Sequence, residues 1–357
     1  MDIQRTGVIL RPNNGRVLYR PFELNDPHRT MKIMARVLER SDTEVDQRMA
    51  EVMSEFHGRH VRLQQYFLSR FEGLRDHLLT DRQLTDNRKM LLGSYFTQEY
   101  ALESAALFNP SIVWHPNQRG IPRGSKRFIL SLRATGEGHV SSLCFRSGVV
   151  DRSGQVVIDE PTGIVTAPTV TPNFQYDRAL FLRKLVELGI SNGLVELVFG
   201  ALEDQFTMVD LEASLRFVLR QHRTRVQEWT PLSKAILALA KANYEMVCDD
   251  ASDVSERIIF PYSPTETNGI EDARFVEFTD DDGTTRYYGT YTAFDGSVIF
   301  PQLVETDDFL RFRIATLNGP EVKNKGMALF PRKINGLYAM LSRQDGENMY
   351  LMFSDML

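Results

Sequence analysis

A chain of 357 residues, 42% hydrophobic and 25% charged, is long enough for two domains or one large one and has the balance of a globular protein with a sizeable core. Its 42 basic and 47 acidic residues leave a net charge of −5 and no strongly basic end, which argues against a dedicated nucleic-acid binder, whose phosphate contacts need clustered Lys and Arg. The two cysteines, Cys144 and Cys248, lie in unrelated segments and point to neither a disulfide framework nor a zinc site but to a reducing cytoplasm; MDIQRTGVILRP lacks the apolar run of a signal peptide, and no stretch reaches the ~18 apolar residues of a membrane span.

In chain order, residues 1 to about 25 read as a short β entry, with GVIL and GRVLYRPF separated by the turn-like Pro12-Asn13-Asn14-Gly15. Residues 26 to about 107 read as helices. Ser41-Asp42-Thr43-Glu44 has the capping-box pattern, in which the Ser hydroxyl and the Glu carboxylate satisfy free amides at a helix start. Val45, Met49, Val52, Met53 and Phe56 follow at helical spacing, and the stretch from Arg59 to Leu79 continues the pattern. QEYALESAALF, Gln98 to Phe108, reads as a last, strongly apolar helix. At Asn109 the texture changes. FNPSIVWH, RFILSLRA, HVSSLCFRSG and GQVVIDEP are short runs rich in β-branched and aromatic residues, set between Gly, Pro and Asn, as in the antiparallel sheets of a sandwich, barrel or propeller. From about Asp177 to Cys248 the helical period returns in LFLRKLVELG, LVELVFGALE, LEASLRFVLRQH and LSKAILALAKANYEMV. β texture then resumes from RIIFPYSP to MYLMFSDML. The expected fold is mainly β with α additions: an N-terminal β entry and helical extension over 1–107, then a β domain over 108–357 carrying a helical insert at 177–248.

Several polar constellations sit in the β parts. Asn109-Pro110-Ser111 follows the expected helix, where it serves either as a plain helix stop or as a pair of polar groups at the mouth of the β domain. SLRATGEGHVSSLCFRSG gathers Arg133, Glu137, His139, Ser141, Ser142 and Arg146 around a glycine-flanked turn. Such a set hydrogen-bonds a polyhydroxylated or anionic ligand, or makes ion pairs at a solvated hairpin tip. No second histidine stands at ligand spacing from His139, so no metal site is expected there. TDDDGT, Thr279 to Thr284, lacks the ligand pattern of a calcium loop and reads as a hairpin turn, as does Asn335-Gly336. NGIEDARF, Asn268 to Phe275, puts Glu271, Asp272 and Arg274 among apolar Ile270 and Phe275, more charge than a buried strand start needs. The Asp272–Arg274 ion pair is the plain alternative there. Lys325, Arg332, Lys333, Arg343 and Asp345 lie among strand-like residues, where basic groups beside carboxylates suit a phosphate or a sugar; Arg332 and Lys333 read as exposed near the turn.

Taken as a set, FNPSIV at 108–113, SLRATGEGH at 131–139, NGIEDARF at 268–275, GTYTAFDG at 289–296 and NKGMALFPRKINGLYAMLSR at 324–343 resemble glycoside hydrolase family 130, the β-mannoside phosphorylases and related β-mannosidases. The resemblance covers the β parts from about 109 onward; the helical parts are similar to a longer branch of the family. It implies a five-bladed β-propeller with its site on the central axis, where loops of different blades converge. It makes Asp272 the general acid that protonates the glycosidic oxygen, in some members through a hydroxyl of the bound mannose. Glu271 and Arg274 then orient the acid and the sugar hydroxyls. Asn109, Ser111, Arg133, Asn324, Lys325 and Arg343 fall where sugar or phosphate is held, and His139 and Asp345 join them as further candidates. The implied reaction is inverting phosphorolysis of a β-mannoside or manno-oligosaccharide to α-mannose 1-phosphate, with inorganic phosphate as co-substrate and neither cofactor nor metal. The alternatives are an inverting β-mannoside hydrolase, which needs a base to activate water, and a non-catalytic carbohydrate-binding fragment. Composition points to a cytoplasmic protein with no nucleic-acid or membrane partner, and the helices offer surfaces for contacts in a homo-oligomer, whose state the sequence does not fix. Ala273 replaces the family's commoner Pro, a change of turn stiffness more than of chemistry. The chain stops at MYLMFSDML where relatives continue, so the expectation is a propeller incomplete at its C-terminus, lacking anion-binding residues and part of the shell around Asp272.

Overall fold

The computed structural model describes residues 6–78, 80–171, 175–296 and 298–357; Leu79 and the first five residues of the N-terminal stretch lie outside these. Strand β1 (Val17–Pro21) leads into helices α1 (Pro27–Leu38), α2 (Asp42–Phe56), α3 (Leu63–Glu72) and α4 (Asp86–Tyr95), and pairs antiparallel with β2 (Thr97–Ala101). The capping box at α2 is formed: Ser41 Oγ accepts from Glu44 N, and Glu44 Oε2 from Ser41 N. Val45 and Met49 point into a core shared with Met34, Phe67, Phe71 and Leu92. Gly93 lets α4 touch α3, since a Cβ there would lie 2.0 Å from the Phe67 carbonyl oxygen.

Three expectations fail in this half. GVIL is not a strand: residues 6–9 are exposed, with Ile9 74% open, and among the described residues no neighbouring strand pairs with them. The Arg59–Leu79 pattern is broken, because Arg62 adopts φ +56° before α3 and only a short 3-10 turn, Arg75–His77, follows it. QEYALESAALF is not a helix. Its first half is β2, in register with β1 at Leu18–Tyr100, and its end opens β3 (Ala106–Trp114), which pairs with β4 (Lys126–Thr135). Ala, Leu and Glu favour helix by only a few tenths of a kcal/mol each, less than two ladders and one buried ion cluster contribute. That cluster centres on Glu103, fully buried between β2 and β3: Oε1 accepts from Arg16 Nη1 and from Arg146 Nη2 (2.7 Å), and Oε2 from Asn13 N (3.0 Å).

The chain continues through β5 (Ser141–Val150), β6 (Val156–Ile158), β7 (Thr169–Thr171) and β8 (Gln175–Asp177) into α5 (Arg178–Glu187) and α6 (Gly193–Phe199), then β9 (Gln205–Thr207), α7 (Met208–Gln221) and α8 (Val226–Lys241). Leu185, Leu194, Leu215, Trp229 and Ile236 form the core of these helices. The YEMV end of the last expected helix is instead β10 (Tyr244–Val247), because α8 stops at Ala242 and the next residues pair with an outer strand. After β11 (Ile258–Ile259) come β12 (Gly269–Thr279), β13 (Thr285–Phe294), β14 (Ile299–Thr306), β15 (Arg311–Thr316), β16 (Ala328–Leu329), β17 (Tyr338–Ser342) and β18 (Tyr350–Ser354).

In the main sheet the order is β3-β4-β5-β12-β13-β14-β15-β10-β7, with β6 and β11 added at β5; β16-β17-β18 form a separate sheet. The chain is mainly β with helices. The described strands make open sheets, not a closed barrel or ring, so the expected five-bladed ring is not displayed. The two turns expected at TDDDGT and Asn335-Gly336 are present, the first joining β12 to β13. Among the described residues no helix is long and apolar enough to cross a membrane. Both cysteines are buried and unpaired, and burial pushes each thiol up to about 11.

Candidate functional site

Two hairpins and the loop before β16 bring charged groups together. The hairpins carry the same irregularity. In β3–β4, Phe108 pairs with Arg133 and Ser111 with Ser131, so Asn109 and Pro110 stand opposite one residue. In β12–β13, Glu271 pairs with Thr292 and Arg274 with Thr290, so Asp272 and Ala273 stand opposite one residue. Each is a β-bulge, and Asn109 and Asp272 each adopt φ +53°, a left-handed conformation uncommon outside glycine. The two bulges face each other: Ser111 Oγ accepts from Phe275 N at 2.9 Å, and Asn109 Nδ2 donates to Asp272 Oδ1. Gly269 makes the approach feasible. At φ +123° its backbone passes Ser141 so closely that a Cβ would lie 2.7 Å from Ser141 N.

Arg133 ties the two hairpins together. Nε donates to Ser141 Oγ (2.9 Å), Nη1 to Asp272 Oδ1 (3.2 Å) and Nη2 to Glu271 Oε1 (2.7 Å), while the guanidinium lies over the Phe108 ring. Lys325, from the loop between β15 and β16, reaches Glu271 Oε2 at 3.5 Å. Two carboxylates and two cations thus alternate as Asp272–Arg133–Glu271–Lys325, with Lys325 the most exposed of the four. Asp272 borders a small cleft with Thr290, Tyr291, Thr292, Asn324, Lys325 and Gly326. The chain's larger cavities lie elsewhere, one lined by Lys184, Arg286, Glu305 and Arg313, where Glu305 pairs with both arginines, and another by Tyr19, Phe56 and Phe67.

The remaining expected residues fall outside this chain of charges. Arg274 does not pair with Asp272; its guanidinium donates to the Ala273 carbonyl at 3.3 Å, because the bulge turns the two side chains apart. Asn324, at φ +61°, donates to the Arg343 carbonyl (3.0 Å), and Arg343 to the Gly346 carbonyl (2.9 Å), so both brace the loop that carries Lys325. Asp345 accepts from Tyr350 OH (2.6 Å), Asn348 N and Nδ2, and Glu347 N; these hydrogen bonds, Tyr350 foremost, hold its carboxyl well below the usual range. It closes a turn and does not meet Asp272. His139 sits exposed at φ +61° and makes no side-chain hydrogen bond among the described residues. Two features escaped the sequence reading. Thr290, Tyr291 and Thr292 lie inside the quoted GTYTAFDG stretch but carry no charge to single them out. Glu266 is fully buried, and its carboxylate accepts from Tyr291 OH (2.7 Å), Tyr244 OH and the Tyr262 and Ser263 amides. Burial, and then that carboxylate, push the Tyr291 hydroxyl well above its ordinary range.

A carboxylate held between an amide and a guanidinium at a bulge, beside a cleft, is placed to give or take a proton. The chain is 30% identical over 115 residues to a β-1,2-mannobiose phosphorylase of Listeria innocua, a stretch that is 32% of this chain and 29% of that protein. No protein-family model matches. Among solved structures it is similar to one titled as showing that family 130 of mannoside phosphorylases contains glycoside hydrolases that target β-1,2 mannosidic linkages in Candida mannan (TM-score 0.30, 11% identity, 72% of this chain and 48% of that one). It is also similar to a complex of the Listeria β-1,2-mannobiose phosphorylase with β-1,2-mannobiose (TM-score 0.24, 15% identity, 69% and 57%). The chain spans about half the length of these structures and less than a third of the curated relative. The matched relative is a mannoside phosphorylase, the kind of protein that the motif set resembles.

Proposed function

We propose that this protein cleaves β-mannosides by inverting phosphorolysis, with Asp272 as general acid. The observation that carries the reading is the arrangement Asp272–Arg133–Glu271–Lys325 beside the cleft. An acid needs a fixed carboxyl at a substrate-accessible edge, and an anionic nucleophile needs a cation nearby. In the proposed step the Asp272 proton passes to the glycosidic oxygen, directly or through a mannose hydroxyl. The C1–O bond breaks, and a phosphate oxygen bonds to C1 from the opposite face. The products are α-mannose 1-phosphate and the released sugar. Phosphate is already anionic, so no second carboxylate base is required. Asn324, Lys325 and Arg343 hold phosphate in this reading; Asn109, Ser111, Arg133, Glu271 and Arg274 hold or orient sugar and acid. The sheets are read as blades of a five-bladed propeller over 108–357, with the helices of 177–248 inserted in it and 1–107 as an extension. The cytoplasm is the proposed compartment.

The test is incubation of β-1,2-mannobiose with the protein, with and without phosphate. Phosphate-dependent α-mannose 1-phosphate is expected, and Asp272→Asn lowers its formation by about 10²–10⁴-fold. Free mannose formed without phosphate makes the protein a hydrolase. Calorimetric binding of manno-oligosaccharide with no turnover makes it a carbohydrate-binding module.

A further inference from the structure

We propose that Asn109 is a positioning residue for Asp272, fixing its carboxyl so that the transferable proton is carried on Oδ2. The inference rests on the reading of Asp272 as the acid. Asn109 and Asp272 hold equivalent places in two bulges of the same register, with the same φ of +53°, and their side chains meet. Oδ1 of Asp272 already receives two donors, Asn109 Nδ2 and Arg133 Nη1. An oxygen whose lone pairs point at two N–H groups is a poor place for a proton. Oδ2 has no hydrogen-bond partner among the described residues, and Asp272 borders the cleft. The neutral acid therefore carries its hydrogen on Oδ2.

The identity of the twin matters. An aspartate at 109 would put two carboxylates in contact and force them to share a proton. Asparagine gives the same length and a donor with no charge. It also suits the left-handed backbone. The arrangement leaves one ionisable group between the bulges and fixes one of its oxygens.

The test compares Asn109→Gly, which keeps the left-handed backbone without the side chain, with Asn109→Asp, nearly isosteric. Both are assayed with phosphate on β-1,2-mannobiose, whose leaving group needs a proton, and on a nitrophenyl β-mannoside, whose leaving group does not. Asn109→Gly is expected to lower kcat on mannobiose on the order of ten- to hundredfold with little change in KM, and to affect the nitrophenyl substrate far less. Asn109→Asp is expected to move the alkaline limb of the pH–rate profile to higher pH, which a merely structural role would not do. Equal losses on both substrates, or an unmoved pH profile for Asn109→Asp, overturn the positioning role. A wild-type protein that cleaves neither substrate, or an Asp272→Asn variant at full rate on mannobiose, overturns the acid reading and this inference with it.

Discussion

Arg133 Nη1 stands 3.2 Å from Oδ1 of Asp272, joining residues 139 positions apart in the chain. The same guanidinium binds Glu271 with Nη2 and Ser141 with Nε. Only a planar fork reaches three acceptors in three directions while stacking on an aromatic ring, here Phe108.

Arg133→Lys tests that geometry apart from its charge. A lysine keeps the cation but is a single point that cannot span both carboxylates. We expect kcat/KM for β-1,2-mannobiose to fall at least about tenfold. Near-wild-type kinetics in this variant would mean that charge alone matters at 133 and that the fork does not.

The sequence made legible what is local. The Ser41–Glu44 box is readable because cap and partner lie three residues apart. The polar stretches around Arg133, Asp272 and Lys325 stand out because charge beside apolar strand residues is costly. What stayed hidden depends on distant partners. QEYALESAALF has a helical composition, and only the ladders to β1 and β4 and the burial of Glu103 reveal it as two strand segments. The likeness of Asn109-Pro110-Ser111 to Asp272-Ala273-Arg274 is invisible in residue types and appears only as a shared register. Arg274 was readable as an ion-pair partner of Asp272 by proximity, but the bulge between them sends the pairing to Arg133 instead.

Gly269→Ala tests whether the approach of β12 to β5 sets the site. The added Cβ would meet Ser141 N at 2.7 Å, at a φ of +123° that alanine rarely adopts. Strain of this kind costs roughly 1–3 kcal/mol. Relief requires moving β12 away from Ser141, and with it Glu271 and Asp272 from Arg133. Urea denaturation should show the lost stability, and kcat/KM should fall in parallel. Unchanged values of both would show that the two strands tolerate separation.

Glu103→Gln addresses the buried cluster. Glu103 is fully buried and is the carboxylate partner of Arg16 and Arg146, which are themselves buried. The amide keeps the shape but leaves two guanidiniums without a counter-charge. Removing one partner from a buried ion cluster costs about 3–5 kcal/mol. The urea midpoint should drop accordingly with the slope m unchanged. A shift worth well under about 1 kcal/mol, the range of exposed pairs, would mean that water reaches the cluster.

His60 supplies a pH dependence. Its ring is buried, stacks on Tyr19 at 3.5 Å and meets Glu99 Oε1 at 2.7 Å. Burial lowers its pKa below the ordinary 6.5 despite the pull of Glu99. The unfolded chain then binds the proton more readily than the folded one. Stability from this residue is complete above about pH 6.5 and is lost as pH falls from there towards the folded value. His115 shifts the same way, so the diagnostic is a difference between proteins. Urea unfolding at pH 7.5 and 5.5 should give a smaller loss of stability for His60→Gln than for the wild type. Equal losses in the two proteins would mean that the imidazole is protonated as readily in the fold as in the unfolded chain.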